Sequence, residues 1–294
     1  MSNLSFYLVD VFAETKYAGN QLAVFPHSQD LSTAQMQQIA KELNFSETTF
    51  VLGGSDRAGY DVRIFTPAQE LPFAGHPTLG TAFVIQQMLL GHPVEQVGLN
   101  LAVGQIPVTI AYHQHTPEVL WMEQPAPVFG PTLTAAAIAP ILSLGLEDLD
   151  LRFPIQEVST GVPFVIVPLK TLDALQRIRV NAEQLAQVLS PLAAKAVFAF
   201  CPETRDRDRQ FSARMFAPLL GIAEDPATGS ANGCFAGYLV RHRYLQTATI
   251  QVQVEQGYEI GRPSLLRLEA EEQNGAIAVR VGGKVVLVAK GEFV

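Results

Sequence analysis

Three side chains in this sequence have the type and setting for proton chemistry: Glu47 in NFSETTFVL, His76 in ELPFAGHPTLG and Asp225 in GIAEDPATGS. Glu47 lies between Phe45 and Phe50, and a carboxylate flanked by apolar side chains holds its proton more readily. General acid/base work at neutral pH requires that property. The plain alternative is an exposed loop residue. His76, one of only six histidines, stands in a turn between Gly75 and Gly80, ahead of a long apolar run. Imidazole titrates near neutrality and responds to its surroundings, and a helix start favours its neutral form. It serves either as a donor or acid in a cleft or as a cap of the helix expected over 78–91. Asp225 precedes Pro226 and can accept from a substrate amine or hydroxyl. Its alternatives are a turn carboxylate satisfying backbone N–H groups, or the same role taken by Glu224.

The elements that must hold these groups follow from the apolar pattern. The stretches 78–91 and 230–245 have wide apolar faces, and the first, Gln86 and Gln87 apart, is apolar on nearly all sides, which is the pattern of a helix enclosed by strands. Each begins at a turn of small residues, AGHPT and ATGSANG. A helix start carries unpaired N–H groups and a partial positive charge, so the two starts predict a site for an anionic small molecule. FYLVDVFA, QLAVFP, TTFVLG, YDVRIFTP, PVTIAYH and EVLWMEQP alternate, carry β-branched and aromatic residues, end at Gly or Pro, and read as strands. LSTAQMQQIAKELN reads as an amphipathic surface helix with Ser32 or Thr33 as its cap and Asn44 past its end. A further helical stretch is expected over 171–189.

The chain also echoes itself. RIFTP at 63–67 answers RMFAP at 214–218, and GNQLAVFP at 19–26 answers GVPFVIVP at 161–168. One duplication at half length predicts two related lobes rather than a solenoid. At 294 residues the chain has room for two cores. The proline-rich EQPAPVFGPTL at 123–133 marks the boundary. The expected lobes are 1–125, completed by a last strand at about 283–294, and 126–282, each a curled sheet around a central helix in an α+β fold.

Composition narrows the functional classes. Apolar residues make up 48%, charged residues 16%, and the net charge is −8; RDRDRQ at 205–210 alternates in sign and reads as a solvated turn. Nucleic acid is therefore a poor partner. The start MSNLSFYLVDVF has no basic segment followed by an apolar one, and 79–90 is too short to span a bilayer, so a cytoplasmic protein is expected without a membrane partner. Cys201 and Cys234 form no metal-spaced set and read as small buried residues. GHPTLGT lacks the Gly-Lys-Ser/Thr of a phosphate-binding loop, no GxGxxG follows the first strand, and TGSANG is not a nucleophile elbow, which leaves Ser230 a weak nucleophile. The expectation is neither nucleotide cofactor nor metal.

Taken together, VDVFAETKYAGNQLAVF, NFSETTFV, RIFTPAQELPFAGHPTLG and EDPATGSANG resemble the phenazine-biosynthesis PhzF family, whose fold is that of diaminopimelate epimerase. The resemblance implies a cofactor-free isomerase of two pseudo-twofold lobes with the active site between them. Glu47 would be the acid/base that moves a proton between carbons of a dihydro-hydroxyanthranilate-like ring. His76 and Asp225 would bind polar groups, and the backbone around Gly75, Gly229 and Ser230 would hold the carboxylate. Related epimerases and racemases place a cysteine at each helix start; here those positions are Gly75 and Ser230 or Gly229, so two-thiol chemistry is not expected. Gln21 departs from the proline usual after Gly-Asn. Members often form homodimers, a point on which the sequence itself is silent. The alternatives are a non-catalytic small-molecule binder on this scaffold and an epimerase or racemase working through carboxylate and water.

Overall fold

The structure, a computed structural model, describes residues 4–294. Residues 1–3, where the amino-terminal stretch and the expected first lobe begin, lie outside the described residues. The chain divides into two compact units, one holding the described residues through Met122 together with Gly282–Val294, the other Glu123–Val281.

The first unit runs β1 (Leu4–Val11), β2 (Asn20–Phe25), α1 (Thr33–Leu43), β3 (Glu47–Ser55), β4 (Gly59–Phe65), β5 (Glu70–Leu71), α2 (Gly75–Val84), β6 (Gln96–Leu101), β7 (Gly104–His113) and β8 (Thr116–Gln124). The second runs β9 (Val128–Leu133), α3 (Ala135–Ile138), β10 (Ile155–Ser159), β11 (Pro163–Pro168), α4 (Leu172–Arg177), α5 (Ala182–Leu189), β12 (Val197–Cys201), β13 (Phe211–Ala217), β14 (Ile222–Asp225), α6 (Gly229–Arg241), β15 (Thr249–Gln256), β16 (Ser264–Gln273) and β17 (Ala276–Gly283). The last strand, β18 (Val285–Phe293), returns to pair antiparallel with β1 along its whole length.

The pairings repeat. In the first unit β2 and β3 are parallel, β3 and β4 antiparallel, β4 and β6 parallel, and β6 and β7 antiparallel. In the second the same order is β11 with β12, β12 with β13, β13 with β15 and β15 with β16. A two-strand hop onto a short partner, β5 or β14, precedes each central helix. Parallel neighbours need a crossover connection, and α1, α2, α4 with α5, and α6 supply the four crossovers.

The central helices are enclosed, as their unphased apolar sequences require. All ten residues of α2 are buried, against β1, β2, β3, β6, β7 and β18. Full burial of Leu79 and Val84 contributes about 1.5–3 kcal/mol each. Gly80 allows the close fit: a Cβ there would meet Leu22 Cδ2 at 2.6 Å and Val11 Cγ2 at 2.9 Å. In the second unit α6 packs on β10, β11, β15 and β16.

Several boundaries differ from expectation. The first central helix starts at Gly75 rather than 78 and ends at Val84, where it widens into π-helical turns through Leu90, closed by Gly91 N–H donating to Gln86 O. The second ends at Arg241, short of 245. The stretch 171–189 is two helices, because Thr171 and Asn181 each cap a helix of their own by accepting from Ala174 N and Gln184 N. Arg205 in the alternating-charge turn is partly buried and pairs with Glu255 and Glu259, so that turn is tied down rather than simply solvated. The surface helix α1 is capped by Ser32 in a capping box with Gln35, and Asn44 closes it in the left-handed region at φ 54°.

Candidate active site

In the first unit, strand and helix bring Glu47 and His76 together. Glu47 opens β3 and His76 lies in the first turn of α2. On a strand, residues two apart share a face, so Thr49 points as Glu47 does, and it hydrogen-bonds Thr81 of α2 at 2.8 Å. Phe50, on the opposite face, stacks on Phe25 and meets Phe65 edge-on. β3 is thus gripped from both sides, and Glu47 Oε2 stands 3.4 Å from His76 Nε2. His76 is not the cap of its helix: the N-cap is Ala74, and no side chain caps that end.

The protonation of His76 can be read from its contacts. Burial pushes the His76 pKa down to about 3, partly opposed by a hydrogen bond to the Gln21 backbone. The ring is therefore neutral at physiological pH, and its approach to Glu47 is not an ion pair. Nε2 has no hydrogen-bond partner among the described residues, so the bond to Gln21 runs through Nδ1, which donates its proton to that carbonyl. Nε2 is then a bare acceptor facing a carboxyl oxygen. When Glu47 carries a proton, this nitrogen is placed to share it. Gln21 meets His76 through its backbone, so this contact does not depend on the Gln21 side chain.

In the second unit, Asp225 ends β14 and lies in a hydrogen-bonded chain. Thr228 Oγ1 donates to Asp225 Oδ2 at 2.5 Å. The buried Gln256, at the end of β15, donates through Nε2 to Asp225 O at 2.9 Å and to Thr228 Oγ1 at 3.1 Å. Its Oε1 accepts from Thr228 N at 3.3 Å and from Asn232 Nδ2 at 3.0 Å. Gly257, at φ +78°, lets the following turn press on the Asp225–Pro226 turn; a Cβ there would meet Pro226 O at 2.6 Å. Glu224 is not available as a rival to Asp225, because Arg214 holds both its oxygens at 2.9 and 2.7 Å.

Gly229 and Ser230 are the first two residues of α6 and Gly75 is the first of α2. Cys201 and Cys234 are buried free thiols. Burial pushes Cys201 up to about 12 and Cys234 up to about 11, so neither is a thiolate at neutral pH. Cys234 Sγ faces Thr160 Oγ1 and Val162 O, inside the packing. Among the described residues no cluster of three or more His, Cys, Asp or Glu is placed to hold a metal ion, and no helix is long and apolar enough to cross a membrane. A groove of about 390 Å³ on the second unit, between Glu123, Gln251, Glu271 and Arg280, contains none of the candidate residues. Sequence reasoning missed Thr228, Asn232 and Gln256. The available signal was Thr228 and Asn232 inside the ATGSANG turn already singled out; Gln256 gave none.

Two units of repeated α+β topology, each enclosing a helix with polar residues at its start, define the class of fold seen in epimerases and racemases. A probable proline racemase of Agrobacterium radiobacter shares it, with a TM-score of 0.66 at 11% identity over 99% of this chain and 93% of that one. The family described as phenazine biosynthesis-like protein matches residues 9–291, and the chain belongs to this PhzF family. It is 36% identical to the trans-2,3-dihydro-3-hydroxyanthranilate isomerase of Pseudomonas fluorescens over 99% of both chains. The crystal structure of the Bacillus anthracis phenazine biosynthesis protein of the PhzF family superposes with a TM-score of 0.92 at 28% identity, over the full length of both.

Proposed function

We propose that this PhzF-family isomerase moves a proton from one carbon to another of a small carboxylate-bearing substrate, with Glu47 as the acid/base. The supporting observation is the 3.4 Å approach of Glu47 Oε2 to the neutral, acceptor nitrogen of His76. Glu47 takes a proton from a carbon whose electrons delocalise into the conjugated system of the substrate, and becomes a carboxylic acid. His76 Nε2 accepts a hydrogen bond from that acid and steadies it between the two transfers. Glu47 then returns the proton at a second carbon, so protons and electrons balance and no net redox change occurs. Asp225 accepts from an amine or hydroxyl of the same substrate, and the N–H groups at Gly75, Gly229 and Ser230 favour its carboxylate. A cyclic amino acid of the dihydro-hydroxyanthranilate kind, the substrate in the name of the Pseudomonas relative, has this set of groups.

The test is proton NMR in D₂O with that compound and with other cyclic and acyclic amino and hydroxy acids, using Glu47→Gln as control. Wild-type protein should shift a proton and wash deuterium into the ligand. Glu47→Gln should bind and fail to exchange, since a positioned acid/base is worth about 10²–10⁴ in rate. Exchange at the wild-type rate in Glu47→Gln would remove Glu47 from the mechanism. Inversion of a stereocentre would mark an epimerase, and binding without exchange a binding protein.

A further inference from the structure

We propose that Gln256 and Thr228 are positioning residues: they form a one-way hydrogen-bond chain that fixes Asp225 as an acceptor toward the substrate. The inference rests on the reading above only in assigning Asp225 a substrate to meet.

The direction of the chain follows from groups whose roles are unambiguous. A backbone carbonyl only accepts and a backbone N–H only donates. Gln256 touches one of each: the carbonyl of Asp225 and the N–H of Thr228. Its amide can therefore sit only one way, with Nε2 toward Asp225 O and Oε1 toward Thr228 N. The same Nε2 lies 3.1 Å from Thr228 Oγ1 and donates to it. A threonine hydroxyl has one proton, and because Gln256 can only donate to this oxygen, that proton is free to be donated in a hydrogen bond to Asp225 Oδ2, 2.5 Å away. A carboxylate oxygen that accepts a hydrogen bond from a donor fixed in this way is held in one orientation.

Asn232 locks the arrangement from the helix side. Its Nδ2 donates to Thr228 O and to Gln256 Oε1, both at 3.0 Å, so Gln256 cannot turn over without losing this donor as well. The other ionisable groups on the surrounding elements have partners of their own. Arg214 of β13 is held by Glu224 of Asp225's own strand. Glu255 of β15 accepts from Arg205 N, Asp206 N and Ser212 Oγ. In the turn after β15, Glu259 pairs with Arg205, whose guanidinium lies over Tyr258, and Arg262 follows. The first two turns of α6, Gly229–Phe235, have only Cys234 as a titratable group, and it faces Thr160.

The experiment compares wild type with Thr228→Val, Thr228→Ser, Gln256→Leu and Gln256→Glu, following the ¹³C carboxyl signal of Asp225 against pH in the full-length protein. Removing the hydroxyl or the amide donor should raise the Asp225 midpoint by about one unit, while Thr228→Ser should keep the wild-type value. Gln256→Glu replaces the donor with an acceptor and should disturb Asp225 at least as much as Gln256→Leu. Where the dihydro-hydroxyanthranilate is turned over, kcat/KM should fall about tenfold to a hundredfold in Thr228→Val and be rescued in Thr228→Ser. An unchanged Asp225 midpoint in Thr228→Val, or in Gln256→Leu should the former not fold, overturns the chain whatever the activity does. Asp225→Asn at wild-type activity would instead remove Asp225 from the proposed function while leaving the titration result standing.

Discussion

The two central helices begin in the same topological place and are equipped in opposite ways. At the start of α2 a carboxyl group, Glu47, meets a buried neutral nitrogen that can only accept. At the start of α6 a carboxylate, Asp225, meets a hydroxyl that donates and an amide that enforces the donation. An acceptor beside a carboxyl group has something to bind only when that group is protonated, whereas a donor is served by the ionised form. On the proposed reading, the repeated framework carries one carboxyl beside an acceptor, suited to proton transfer, and one beside a donor, suited to holding a polar group of the substrate. The difference lies in the neighbours, not in the residue type.

The largest effect should come from setting the two carboxyls against each other. Glu47→Gln should abolish proton exchange with ligand affinity nearly unchanged, while Asp225→Asn should raise KM and leave measurable exchange, about tenfold to a hundredfold down in kcat/KM. Equal losses in kcat for both variants would erase the distinction. Exchange rates by NMR and affinity by calorimetry separate the two.

A smaller effect sharpens the first half of the comparison. The folded His76 has its pKa depressed to about 3, against an ordinary value of 6.5. Between those values the unfolded chain binds one more proton than the folded chain, so this residue makes stability rise with pH across that window and lowers it as acid is added. His76→Asn, which keeps a donor and cannot be charged, should reduce the slope of stability against pH there by about 1.4 kcal/mol per unit. Urea unfolding at pH 4, 5, 6 and 7 reads the slope, and an unaltered slope would mean that His76 is charged in the folded protein.

The smallest effect concerns the thiol nearest the second helix start. Cys234→Ala should leave exchange within about twofold of wild type and cost stability of about 1 kcal/mol, as for loss of a small buried group. A loss of exchange comparable to that of Glu47→Gln would bring thiol chemistry back.

The strands were legible from their β-branched and aromatic residues and their Gly or Pro ends, although β2 is buried nearly throughout rather than alternately, and the surface helix because Ser32, Gln35 and Asn44 mark both its ends. The central helices were legible in kind and not in extent. A segment apolar on all sides has no phase, so nothing in it announces that the helix begins before Pro77 or widens after Val84. The break inside 171–189 carried its caps, Thr171 and Asn181, in plain view, but without Gly or Pro the intervening residues did not read as a stop.

By itself the sequence determined which side chains could do chemistry and that the framework repeats, since residue type, turn chemistry and apolar period are local properties. Tertiary structure alone decided what each of those side chains is. The parallel pairing of β2 with β3, together with the Thr49–Thr81 bond, places Glu47 against His76, and the carbonyl of Gln21 chooses the nitrogen that keeps the proton. Gln256, 31 residues beyond Asp225, reaches it because β13 pairs with both β14 and β15. Proton position depends on which donor and acceptor face each other across such long-range contacts, and strand register and helix packing set that facing.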